Sequence, residues 1–488
     1  MSELLSAYRP APLFRFFEEL SAIPRPSGHE ERVADYLVAF AEARGLEVYR
    51  DAVHNVLIKK PAAPGYEALD AVLLQGHTDM VCEKNSGVEH DFFRDPLKLR
   101  LDGDMLSAEG TTLGGDDGAA VALMLCALDD KTLPAPALEC LFTTSEETGL
   151  GGADCFDYSR IHATALINLD SEEEGIAWVG SAGAENTVLA LCCDRIPLQN
   201  SCVRVSLSGL AGGHSGTDID HNRYNANLLL ARLLRAVYVQ TPFNLVSIAG
   251  GKMRNAIPRE AEAVLASTDR ERLCADLKAA AAKVRAELSP EDQGMRLHAD
   301  KCGAPADTML TFRSTARLLS LMLSAPGGVQ SMSIHMPGLV ESSTNLGTVV
   351  MTDGSVELGY MSRSSSEGKM DLLEQKFDAL AALAGEDVSC THTGRYSGWE
   401  FIPDTPLQNR YKAVYTRLFP GKEPVIASVH AGLECSTICE KTREAGGADL
   451  DAISIGPDIF DIHSPDERMD CRSLERLWQL LAAMLAEK

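Results

Sequence analysis

The sequence has no apolar stretch reaching the ~18 residues that a membrane-spanning helix requires. Its opening segment, MSELLSAYRPAPLFRFFEEL, lacks a basic stretch leading into an apolar core, and is not read as a signal peptide. Basic residues are in the minority: 45 Lys and Arg face 70 Asp and Glu, a formal charge of −25. Nucleic acid and anionic membranes both demand a positive surface, so neither is expected as a partner. An acidic protein is suited to gathering cations. The thirteen cysteines are an odd number and form no repeated CxxC pairs, which argues against a disulfide framework. Cys435 and Cys439 come nearest to a cluster, and helical spacing accounts for them equally well. Free thiols in a reducing, cytoplasmic setting are expected. Low-complexity segments and long linkers are also missing.

What is present fits an ordinary globular chain. The 488 residues are 45% hydrophobic and 24% charged. At roughly 100–200 residues per domain they allow two to four domains. Residues 10–22 and 29–44 carry helical apolar spacing, the second run closing at Gly45. The runs LEVYR, NVLIKK, AVLLQGH, ALECLFTTSEE and ATALINLD read as strands, with an Ala-rich helix over 118–128. Such alternation predicts an α/β layer around a mixed, mostly parallel sheet. From about residue 187 the texture changes to two α+β sets. The first holds SCVRVSLSGL, a helix at 225–238, FNLVSIAGG, EAEAVLAS and a helix at 271–288. The second holds MSIHMPG, NLGTVVMTDG, SVELGYMSR, a helix near 370–384 and VSCTHTG. From about 400 the α/β pattern returns, with helices near 406–418 and 433–445, strands PVIASVH and LDAISIG, and a final helix from about 471. The expectation is an α/β domain of 1–186 and 400–488, interrupted by a large α+β insertion, 187–399.

In open α/β sheets ligands lie beyond the C-terminal strand ends, so polar residues closing apolar runs matter most. Five such groups stand out. In LLQGHTDM, His77 and Asp79 are two apart and share a strand face, the spacing of a metal-bound imidazole and its orienting carboxylate. A structural histidine beside a solvated aspartate fits the same spacing. In TTLGGDDGAAVALML, Asp116 and Asp117 open a helix, where capping is the alternative role. LFTTSEETGLGG ends in Glu146 and Glu147, one of which could hold a metal while the other works on water; an exposed loop pair is the alternative. Asp170 closes the apolar strand ALINLD, where an unpaired carboxylate is costly to bury. The Glu172, Glu173 and Glu174 that follow read as a solvated acidic turn without chemistry. His463 lies in a Pro- and Asp-rich loop, where a surface histidine is the bland reading.

In this order, HxD, DD, EE, D and H resemble the co-catalytic di-zinc metallopeptidases that include aminoacylase, glutamate carboxypeptidase and the carnosine-type dipeptidases. The segments QGHTDMVCEKN, GTTLGGDDG, NLDSEEEG, LAGGHSGTDI, HAGLEC and HSPDERM are similar to the aminoacyl-histidine (Xaa-His, PepD-like) dipeptidase branch. The resemblance runs from near residue 15 to the C-terminus. Asp117 departs from it, since Asn is expected there in several relatives; the preceding Asp is the ligand, so the metal site is expected to stay intact.

The resemblance implies that Asp116 bridges two Zn2+ ions, with His77 and Asp170 completing one site and Glu147 and His463 the other. Mn2+ or Co2+ could substitute. Asp79 then orients His77, and Glu146 moves a proton from water to the leaving amine. It implies that the insertion is a lid. His214 in AGGHSG then stabilises the oxyanion, acting only if the domains close, while Asn255 and Arg363 hold the substrate's carboxylate. A surface salt bridge is the other role open to Arg363. His430 and Glu434 are expected to line the site, Glu434 meeting the substrate's amine. The implied activity is hydrolysis of unblocked dipeptides, with a histidine preference that rests on resemblance alone. An N-acyl amino acid amidohydrolase, a metal-binding protein without turnover, and a metal-free acidic interaction protein are the rivals. Whether the lid histidine serves its own chain or a partner in a homodimer formed through the lid is left open.

Overall fold

A computed structural model describes residues 4–488; the first three residues of the opening segment lie outside the described residues. Two compact units are formed: Met1–Ser181 with Phe401–Ser428 and Leu433–Lys488, and Ala182–Glu400 with Val429–Gly432. Among the described residues no helix is long and apolar enough to cross a membrane. All thirteen cysteines are free thiols.

The first unit is built on an eight-stranded sheet. Its strand order is Glu47–Arg50, Val56–Lys60, Leu138–Thr143, Val72–His77, Ala165–Asn168, Asp451–Ser454, Ile176–Ser181 and Val425–Val429. The four strands from Leu138–Thr143 to Asp451–Ser454 run parallel, with antiparallel pairs flanking them. Val72–His77 and Leu138–Thr143 are buried at every residue, as parallel strands covered on both faces must be. Helix Gly115–Asp129 is apolar all round and is correspondingly buried. Helix Ala11–Ser21 is different, turning a Leu13, Phe14, Phe17 and Leu20 stripe inward. A small four-stranded sheet joins the hairpin Leu99–Asp102 and Met105–Ala108 to Arg468–Asp470 and Ile459–Phe460; the sequence reading had not marked these strands.

The second unit corrects one expectation. Its two α+β sets, read from the sequence as distinct, share one nine-stranded sheet, joined where Gly250 pairs with Val349. Helices Ala226–Tyr238, Arg270–Val284, Phe312–Ser324 and Glu367–Ala384 contribute Leu230, Leu234, Leu277, Leu318 and Phe377 to a single core. MSIHMPG is not a strand. The strand Gly328–Met332 ends as that segment begins, and Pro337–Gly338 turns the chain, with Gly338 at φ 88°.

Candidate active site and metal centre

The C-terminal ends of the parallel strands bring the sequence-predicted carboxylates and imidazoles of the first unit together. His77 is the last residue of its strand, and Gly76 before it leaves room that a Cβ would take from Asp117 and Ala120. Asp117 fills that room. One of its oxygens accepts the His77 N–H at 3.0 Å, and the other caps the helix by accepting Ala120 N–H at 3.2 Å. Asp117 is therefore both a helix cap and a buttress for His77.

Asp116 is the centre of the arrangement. Its Oδ1 lies 3.0 Å from His77 Nε2, and its Oδ2 lies 3.2 Å from His463 Nε2. Asp170 Oδ1 is 3.5 Å from the same His77 nitrogen, and Glu147 Oε2 is 3.0 Å from that of His463. Three candidate ligand groups overlap here: His77–Asp116–Asp170 and Asp116–Glu147–His463, which share one carboxylate, and His77–Glu146–Glu147. His463 sits at φ 61°, a left-handed conformation of the kind concentrated at functional sites.

Asp79 ties these groups to each other. Its Oδ1 is 3.3 Å from His77 Nδ1 and accepts Glu146 N–H at 3.1 Å, while Oδ2 accepts Glu147 N–H at 3.3 Å and the Ser27 hydroxyl at 2.8 Å. One buried carboxylate thus positions an imidazole and two consecutive glutamates. Burial, with the charges of Glu434, Glu147 and Asp116 added, raises the Glu146 carboxyl to about 8. Burial, then the Asp117 charge, pushes Asp170 up as well. Hydrogen bonds to Asp116 and Glu147 raise His463 to about 10. Each shift reports anionic charge crowded around Asp116. Buried Glu147 Oε1 has no hydrogen-bond partner. Nitrogen and oxygen donors, excess negative charge and an orphaned carboxylate oxygen together fit divalent cations.

Glu434 also belongs here. Its Oε2 accepts from Gln75 at 2.6 Å and Thr143 at 2.9 Å, its buried Oε1 has no partner, and burial raises its carboxyl to about 7. His430 stands four residues earlier in sequence, but it belongs to the second unit.

Within the second unit, His214, Asn255, Arg363 and His430 are neighbours. Gly213–His214 pairs with Ala256–Ile257, and Asn255 accepts the Ser215 N–H at 2.9 Å. Arg363 is buried and pairs with no carboxylate among the described residues, so the salt-bridge alternative does not hold. Thr217 donates its N–H to His214 Nδ1 at 3.2 Å, and Nε2 of the same ring faces Arg363. That Nε2 lies 3.2 Å from Arg363 Nη2. His430 Nε2 is bound to Ser343 Oγ at 2.7 Å, and burial, with Arg363 and His214 nearby, lowers it to about 3.

Two residues carry the site without having been singled out. Glu467 accepts the backbone N–H groups of Leu113, Gly114, Gly115 and Asp116 at 2.7, 3.0, 2.8 and 3.3 Å. Buried Arg25 donates to the carbonyls of Thr78 and Asp79 at 3.0 and 2.9 Å. Glu467 lies in the quoted HSPDERM segment, whereas nothing around Arg25 marks it. The acidic turn after Asp170 needs correction: only Glu173 is exposed. Glu174 forms a bidentate pair with Arg476 at 2.5 and 2.9 Å, tying the turn to the last helix. Burial raises Glu172 to about 7.

The chain is 38% identical over 491 aligned residues to the cytosol non-specific dipeptidase of Escherichia coli K12, covering 100% of this chain and 99% of the relative. The crystal structure of aminoacylhistidine dipeptidase from Vibrio alginolyticus matches with a TM-score of 0.91 at 34% identity, over 99% of both chains. Aminopeptidase PepT from Bacillus cereus, at 15% identity and a TM-score of 0.57 over 98% of both chains, shares the fold. Residues 73–487 match the family model described as peptidase family M20/M25/M40, and to that family this chain belongs.

Proposed function

We propose that this protein is a metal-dependent dipeptidase that hydrolyses the single amide of unblocked dipeptides, Xaa-His dipeptides of the carnosine type among them. The observation that carries the reading is the shared carboxylate: Asp116 offers one oxygen to the His77 side at 3.0 Å and the other to the His463 side at 3.2 Å. The names of the two full-length relatives, cytosol non-specific dipeptidase and aminoacylhistidine dipeptidase, support the substrate class and a cytoplasmic location. In this reading His77 and Asp170 hold one zinc ion, Glu147 and His463 hold a second, and Asp116 serves both; manganese or cobalt could replace zinc.

When bound, the ions acidify water toward neutral pH and polarise the scissile carbonyl. Asp79 keeps His77 in one orientation and fixes the backbone of the two glutamates. Glu146 accepts a proton from the attacking water and returns it to the leaving nitrogen. In this reading His214 and Arg363 receive negative oxygen, either the developing oxyanion or the substrate's carboxylate. Asn255 assists beside them, and His430 lines the same cluster in its neutral form. Glu434 Oε1, buried and unpartnered, receives the substrate's ammonium group.

A panel of β-Ala-His, Gly-His, other free dipeptides and N-acetyl amino acids, assayed with and without chelator, tests the reading. Turnover of the free dipeptides, abolished by chelator and restored by zinc, is expected. Preference for N-acetyl amino acids, or full turnover in metal-free protein, would refute it.

A further inference from the structure

The second unit holds a group of metal-type ligands that the reaction leaves unused. Strand Val388–Tyr396 is the terminal strand of the nine-stranded sheet, and Cys390 and His392 on it share one face. Helix Glu367–Ala384 brings Asp378 to the same place. His392 Nε2 lies 3.4 Å from Cys390 Sγ and 3.2 Å from Asp378 Oδ1. The other ring nitrogen, Nδ1, is 3.0 Å from Thr187 Oγ1 and 3.8 Å from Glu185 Oε2, both on the neighbouring strand Gly183–Cys192.

These separations match the edges of a tetrahedron. With Zn–N and Zn–O near 2.0–2.1 Å and Zn–S near 2.3 Å, tetrahedral angles place N and S ligands about 3.5 Å apart and N and O ligands about 3.3 Å apart. The supporting contacts also fit. With Thr187 Oγ1 taking the Nδ1 proton, the Nε2 lone pair is aimed at the thiol and the carboxylate. Arg395 occupies Glu367, Asp371 and Glu374 on the helix, at 2.7, 2.6 and 3.2 Å, and leaves Asp378 to His392.

We propose that Cys390, His392 and Asp378 bind one zinc-class divalent cation, apart from the catalytic ions, which clips the terminal strand to the helix. The thiolate and the carboxylate supply two negative charges to balance the ion, and the thiol proton leaves to solvent on binding. A sulfur ligand excludes magnesium and calcium and favours zinc, cobalt or copper.

Cobalt distinguishes this site from the catalytic one, whose proposed ligands include no sulfur. Titrating the full-length protein with Co2+ is expected to produce a near-ultraviolet thiolate-to-cobalt charge-transfer band that saturates at one thiolate-bound ion per chain. The band is lost in Cys390→Ser, and its apparent affinity falls roughly tenfold or more in His392→Gln. Dipeptide turnover is retained in both variants, so failure of the dipeptidase reading and failure of this one are read separately. Absence of the band in the wild type, or its persistence in Cys390→Ser, overturns the proposal. If Cys390→Ser fails to fold, an unchanged band in folded His392→Gln overturns it equally.

Discussion

Glu146 and Glu147 are adjacent in sequence yet make different contacts. Glu147 places Oε2 3.0 Å from His463, whereas Glu146 sits where burial and neighbouring charge hold its proton to about 8. Glu147→Ala is therefore expected to lose one of the two bound ions, measured by elemental analysis. Glu146→Gln is expected to keep both and lose at least ~10²-fold in kcat. Equal metal loss in the two variants would contradict the division. His430 gives a prediction of another kind. Folded, it takes a proton only near pH 3, while an unfolded histidine does so near 6.5. Between those values the unfolded chain binds more protons, so stability falls as pH drops, by up to ~1.4 kcal/mol per unit. Denaturation of wild type and His430→Gln across pH 3–7 should show a steeper decline in the wild type. His77, Asp116, Asp170 and His463 were legible because each closes an apolar run or stands in a loop of distinctive composition. Arg25 and Gln75 were not, because their importance lies in carbonyls and carboxylates that only the fold brings to them.

At the level of elements, the turn entering helix Gly115–Asp129 is held by a carboxylate from far along the chain. Glu467 satisfies four successive N–H groups that would otherwise be buried without acceptors. Glu467→Ala is expected to cost at least ~2 kcal/mol in chemical denaturation and to lower metal content by loosening Asp116. Glu467→Gln, which keeps the shape, should do less; equal metal content in both variants and wild type would refute the link. Element reading succeeded where apolar runs were long and failed where inward positions are polar. Strand Gly183–Cys192 turns Glu185 and Thr187 inward among its apolar residues, which hides its alternation. Strand Arg296–Cys302 lies at the sheet edge with only Ala299 fully buried, so no apolar face announces it. The hairpin Leu99–Ala108 did carry a signal, the two-residue Gly103–Asp104 turn with Gly103 at φ 61°.

For the whole molecule, the formal charge of −25 has a local counterpart in the carboxylates crowded around Asp116. Bound cations should accordingly stabilise the fold, by about 2.7 kcal/mol at a free concentration one hundred times Kd. Calorimetry with and without chelator should show a lower Tm without metal, and His77→Ala should blunt the difference. An unchanged Tm would mean that the ions do not bind the folded chain in preference to the unfolded one. The division of the chain into a first unit that is left and later re-entered has a further consequence, in the timing of synthesis. Strand Asp451–Ser454 belongs beside Ala165–Asn168 in the middle of the sheet, yet about 280 residues separate them in the chain. At roughly 5–20 residues per second, the ribosome delivers that strand some 15–60 s after its neighbour. Until then the half-built sheet presents an apolar edge, with Leu166 and Ile167 awaiting Ala452 and Ile453. The second unit, which lies wholly within the interval, can complete its own sheet meanwhile. Chains cut short before residue 451 should thus carry a finished second unit on an unfinished first one, and depend on chaperones to stay dispersed.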